Sequence, residues 1–142
     1  MFSNIVVGTD GSETAAAAVA LAVDLARKHD GKLHLVTAFR TPSAVGGGGV
    51  SAADPSMGQG FSKLAAAKTL EQVAAGIEGV DVETHSRAGA PASVIVDVAD
   101  ELGADLIVVG SKGMQGTRRI LGSVPNTVAH NAACHVLVAK TS

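Results

Sequence analysis

The stretch NIVVGTDGSETAAAAVALAVDLARKHDGKLHLVTAF, Asn4 to Phe39, decides the fold. Its opening, NIVVGT, is β-branched and too short for a helix, so it reads as a strand over Asn4–Thr9. Both faces of that strand look apolar, which places it at the centre of a parallel sheet. After the turn TDGS, Ser12 suits an N-cap and Glu13 the first turn of a helix running to about His29, with Val19, Val23 and Ala26 along one stripe. HDGK closes the helix, and LHLVTAF, Leu33–Phe39, is a second strand. Strand, helix and strand in immediate succession form the unit of a parallel sheet with helices on its faces.

The rest of the chain repeats the alternation. RTPSAVGGGGVSAADPSMGQG has no period and little to bury, so a flexible loop is expected over about 40–58. A helix follows from Gln59 to about Ile77, with Ala66, Leu70, Val73 and Ile77 on one side. In VDVETHSR, Val80 and Val82 alternate with charged residues, the pattern of a half-exposed edge strand. Pro91 then suits a first helical turn, Val94, Ile95, Val98, Ala99 and Leu102 recur at helical spacing, and Gly103 ends the helix. DLIVVG is a fourth strand, Ser123 to about Ala132 a last helix, and CHVLVAK a fifth strand.

At 142 residues the chain fits a single domain, 1–142, burying roughly two-thirds of its unfolded surface. With three Phe and no Trp or Tyr the core is aliphatic, and stacking on nucleic-acid bases is nearly excluded. A net charge of −2 without a Lys/Arg block argues against a polyanion binder. The single Cys134 has no partner thiol and suits a reducing compartment as a buried structural residue. No signal peptide is evident, and AAAAVALAV, Ala15–Val23, is too short to span a bilayer, so no membrane association and a cytoplasmic location are expected.

Ligands of doubly wound sheets bind beyond the carboxyl ends of strands where the strand order reverses. The first strand ends in GTDGS, the second in TAF and the fourth in VVGSKG. In VVGSKGMQGTRRILGSVPN, Val108–Asn126, Gly110 and Gly113 permit close backbone approach to a phosphate. The amides of Gly122, Ser123 and Val124 open the next helix at its positive end, while Lys112, Arg118 and Arg119 supply charge. Neither a Walker A loop nor a GxGxxG fingerprint is present. Asp10 either caps its own turn or contacts a ligand, two roles that are compatible. The five histidines, His29, His34, His85, His130 and His135, show no H-x3-H spacing, so no dedicated transition-metal site is expected. For hydrolysis the phosphate loop offers only hydroxyl and amide side chains beside its basic residues, and Asp10 alone supports a slow reaction at most.

The segments GTDGSETA, GAPA, ADLIVVGSKG and LGSVPNTVAHNAACHVLVAK resemble the universal stress proteins of the nucleotide-binding branch, over nearly the whole chain except Arg40 to about Gly60. The resemblance implies an α/β three-layer sandwich: a five-stranded parallel sheet of order 3-2-1-4-5 with helices on both faces, like the adenine-nucleotide α-hydrolases. The branch carries G-x2-G-x9-G-S/T; Gly110, Gly113, Gly122 and Ser123 match it with eight residues in the long gap, a shortening that favours a ligand with fewer phosphates. By the same resemblance Gly8 and Thr9 flank the base, and the backbone of Ala38 recognises adenine. Asp10 meets ribose or a Mg²⁺ on the phosphates, and Val109 packs on the nucleotide. Lys112 reaches phosphate, with Arg118 and Arg119 as further phosphate contacts, and Val124 offers its amide. Pro125 has no amide hydrogen to offer. The implied function is a stress-response sensor of ATP or another adenine nucleotide such as cyclic AMP, with weak ATP hydrolysis at most. The alternative is a dimeric interaction module with a vestigial site, paired through the C-terminal HVLVA strand.

Overall fold

The computed structural model describes residues 1–40, 62–111 and 123–140, and among these described residues nine elements alternate. They are β1 (Asn4–Gly8), α1 (Glu13–His29), β2 (Lys32–Phe39), α2 (Lys63–Ala75), β3 (Asp81–Ala88), α3 (Pro91–Leu102), β4 (Leu106–Gly110), α4 (Ser123–Asn131) and β5 (His135–Ala139). The loop expected over about 40–58 and the helix start expected at Gln59 lie outside the described residues, Arg40 excepted.

The sheet has the order β3-β2-β1-β4-β5 with every pairing parallel, as the resemblance implied. Alternation along each strand divides the core into two layers. Ile5, Val7, Leu33, Leu35 and Val108 meet Ala18, Val19, Ala22, Val23 and Ala26 of α1 and Leu70 of α2. Val6, Val36, Ile107 and Val109 meet Val94, Ile95 and Val98 of α3 and Val128 of α4. The IVV of β1 is fully buried, which is what its lack of polar alternation predicted.

The caps follow local chemistry. Ser12 Oγ accepts from the Ala15 amide at 3.2 Å, and α1 ends where Asp30 turns left-handed at φ 53°. Pro91 opens α3, and Gly103, at φ 65°, ends it. The second helix was expected to reach Ile77 but stops at Ala75, because the amides of Gly76 and Ile77 bond to Val73 and Ala74 three residues back, tightening the last turn out of the α pattern. Cys134, expected to be buried, is half-buried against the α3–α4 layer, where desolvation pushes its thiol pKa up. Among the described residues no helix is long and apolar enough to cross a membrane.

Candidate functional site

The strand order reverses between β1 and β4: β2 and β3 lie to one side, β5 to the other. Connections leaving these two strands diverge, and a crevice opens beyond their carboxyl ends. The register pairs Val7 with Val108, which sets Gly8 beside Val109 and the turn Thr9–Asp10 beside Gly110–Ser111. Ala38 is the penultimate residue of β2. Since β4 and β5 are parallel, the helix joining them runs back against them, so Ser123 and Val124 begin α4 at this same end. The fold thus gathers Gly8, Thr9, Asp10, Ala38, Val109, Gly110, Ser123 and Val124. Lys112, Gly113, Arg118, Arg119 and Gly122 lie outside the described residues.

Hydrogen bonds fix the turn after β1. The Thr9 amide donates to Val36 O at 2.9 Å, and Thr37 Oγ1 donates to Thr9 O. Thr9 Oγ1 accepts from the Gly11 amide at 3.1 Å, and Asp10 Oδ1 accepts from the Ser12 amide at 2.9 Å. Asp10 therefore does cap its own turn. A carboxylate accepts up to about four hydrogen bonds, so this cap is compatible with further contacts. On the other strand the Ser111 amide donates to Ala139 O at 2.9 Å, tying the residue that follows β4 to the end of β5.

Four polar side chains are buried among the described residues: Thr9, His34, Thr37 and Ser111. Three of them stand at this end of the sheet, where burying a hydroxyl is tolerated only with a partner. Thr37 escaped the sequence reading; its only signal was a hydroxyl among apolar residues, two residues before that strand ends. The hydroxyls of Thr9 and Thr37 bond to backbone, which ties the turn after β1 to itself and to β2.

Two predicted residues have core duties as well. A Cβ on Gly8 would lie 2.5 Å from Ile95 Cδ1, so glycine here lets α3 approach the sheet. The Val109 side chain is 2% exposed and belongs to the α3–α4 layer. Val124 packs partly against that layer too, which leaves its amide in the first turn of α4, where the helix dipole favours an anion.

A doubly wound, parallel α/β protein with buried hydroxyls at the carboxyl ends of the strands at its switch point is the class that these features define. The chain belongs to the universal stress protein family, whose family model matches residues 1–140. It is 33% identical to a putative universal stress protein of Staphylococcus haemolyticus, over 99% of this chain and 86% of the relative. A universal stress protein of Methanocaldococcus jannaschii is 32% identical over 99% of this chain and 83% of its own length. Among solved structures, a universal stress protein in complex with cyclic AMP is similar at TM-score 0.71 and 32% identity, covering 99% of this chain and 98% of that one.

Proposed function

We propose that this chain binds an adenine nucleotide, cyclic AMP or ATP, in the crevice between the carboxyl ends of β1 and β4, and acts as a stress-response sensor rather than an enzyme. The observation that carries this reading is the end-to-end likeness to the structure with cyclic AMP bound, at 32% identity. In this reading the Ala38 backbone meets adenine and Asp10 meets ribose. Gly110, Gly113, Gly122, Ser123 and the Val124 amide hold phosphate, with Lys112, Arg118 and Arg119 neutralising it. Where Mg²⁺ accompanies a triphosphate, Asp10 suits it, because this ion binds through one or two carboxylates plus phosphate oxygens. Isothermal titration with ATP, ADP, AMP and cyclic AMP tests the proposal; no heat with any of the four would sink it. ATP consumed within minutes in the presence of Mg²⁺ would overturn the non-enzymatic part.

A second copy of the chain is proposed to pair with β5. Among the described residues that strand pairs only with β4 and keeps Val136, Leu137 and Val138 half-buried, an edge of the kind that pairing covers. Sedimentation equilibrium is expected to show a dimer, and a monomer at every concentration would refute it. If Gly113→Trp leaves function intact, the interface rather than the nucleotide carries the activity.

A further inference from the structure

Near the amino ends of β2 and β3, remote from the crevice, three ligating side chains meet. His34 Nδ1 lies 3.1 Å from His85 Nε2, His85 Nε2 lies 3.1 Å from Glu83 Oε1, and His34 Nδ1 lies 3.7 Å from Glu83 Oε1. The register produces this: His34 is opposite Glu83 and Val36 opposite His85, so all three side chains share the sheet face that Val36 presents to the α3–α4 layer. Their spacing decides what they fit. Bonds of about 2.0–2.1 Å to a tetrahedral ion separate its ligand atoms by about 3.3 Å, a value the three observed edges bracket.

The proton inventory points the same way. His34 Nε2 is 3.2 Å from Asn4 Oδ1. A carbonyl oxygen only accepts, so His34 carries its proton on Nε2 and turns the Nδ1 lone pair toward His85. His85 Nε2 then holds the one proton that both His34 Nδ1 and Glu83 Oε1 accept. A metal ion in its place is met by three lone pairs, while His85 stays neutral by carrying its proton on Nδ1.

We propose that His34, Glu83 and His85 bind a divalent transition ion of the zinc type, with a fourth position open to water. Asn4 is the outer partner that fixes the His34 tautomer, and Lys32 Nζ, 3.1 Å from Glu83 Oε2, holds the carboxylate in place. Burial lowers the pKa of both imidazoles; His85 and Lys32 add to this at His34 against Glu83 and Asp81, while Arg87 and Lys32 add to it at His85 against Glu83 and Glu101. Glu83 is 45% exposed, which gives the ion a way in from solvent.

The test is a zinc titration of the full chain by calorimetry, with ¹⁵N resonances of the imidazole nitrogens as the site-specific readout. One equivalent is expected, shifting His34 Nδ1 and His85 Nε2. Glu83→Gln and His85→Ala, each checked for folding by circular dichroism, are expected to weaken binding at least as much as the about 10–100-fold that loss of an outer-shell partner costs. His29→Ala controls for chelation by the N-terminal amine, which lies 3.4 Å from His29 Nδ1, and is expected to change nothing. No binding by the folded wild type, or unchanged affinity in either Glu83→Gln or His85→Ala, overturns the proposal.

Discussion

Replacing Gly8 with alanine separates two reasons for a glycine at the end of β1. The new Cβ would lie 2.5 Å from Ile95 Cδ1 and 3.2 Å from Ile95 Cγ1. Carbon atoms settle at about 3.5–4.0 Å, so the Ile95 terminus must retreat by about 1 Å. Ile95 is only 5% exposed, and it retreats by leaving its rotamer, at about 0.5–1.5 kcal/mol, within a layer where overpacking costs about 1–3 kcal/mol. Alanine returns about 0.4–1 kcal/mol by restricting the unfolded chain, which leaves a net loss of about 1 kcal/mol. Ile95→Val deletes Cδ1, the atom in the way, and alone costs about 0.5–1.5 kcal/mol. The double variant is therefore expected to be more stable than the sum of its parts predicts, by about 1 kcal/mol in urea unfolding. The added Cβ points at α3, so cyclic AMP affinity, followed by calorimetry, is expected to fall in Gly8→Ala and to recover in the double variant. Additivity of the two substitutions to within about 0.5 kcal/mol would refute the packing argument.

Thr37→Val keeps the shape of a side chain that is 3% exposed but leaves Thr9 O without its donor, an expected loss of about 1–3 kcal/mol in urea unfolding together with weaker nucleotide binding as the Thr9–Asp10 turn loosens. Wild-type stability and affinity in this variant would show that the hydroxyl is dispensable. The pH dependence of stability is set in the acid direction by His34 and His85, whose pKa values are lowered by burial. Below the unfolded value of about 6.5 the unfolded chain takes up protons that the folded chain refuses, so stability is complete above that pH and declines below it. The decline is about 1.4 kcal/mol per pH unit for each refused proton and ends at the folded pKa values. His85→Gln is expected to make it shallower in urea midpoints measured across this window, and an unchanged slope would be evidence against the neutral pair.

Most of the fold was legible because its signals are local. IVV without polar alternation marked the central strand, and Ser12, Pro91 and Gly103 marked helix ends through chemistry confined to one turn. Strand order was not legible in that way, since periodicity says which segments are strands and nothing about their neighbours; only the family resemblance supplied 3-2-1-4-5. The site divides along the same line. Asp10 and Gly110 announce themselves by sitting where a strand meets a turn. Thr37 does not, because its importance comes from the carbonyl of Thr9, 28 residues away, which β1–β2 pairing brings beneath its hydroxyl. Metal spacing rules that count along one chain segment likewise miss His34 and His85, which are 51 residues apart and joined only by the register of two parallel strands.

Strand β2 carries both of the buried polar groups that local reading missed, and the way each is satisfied distinguishes their roles. Thr37 faces the α1–α2 layer with Leu33 and Leu35, whereas His34 faces the other with Val36, near the opposite end of the strand. In a parallel strand covered on both faces, valine would fill either position without a desolvation cost. The hydroxyl of Thr37 closes on a backbone carbonyl, and nothing further is required to complete that bond. The imidazole of His34 closes instead on a second imidazole and, through it, on a carboxylate, so that two acceptors depend on one proton. Among the described residues no buried side-chain polar atom lacks a partner, so the arrangement is stable as it stands. It is nonetheless rich in lone pairs and poor in positive charge at its centre, an imbalance that a divalent cation removes and that a purely structural hydrogen-bond network has no need to create.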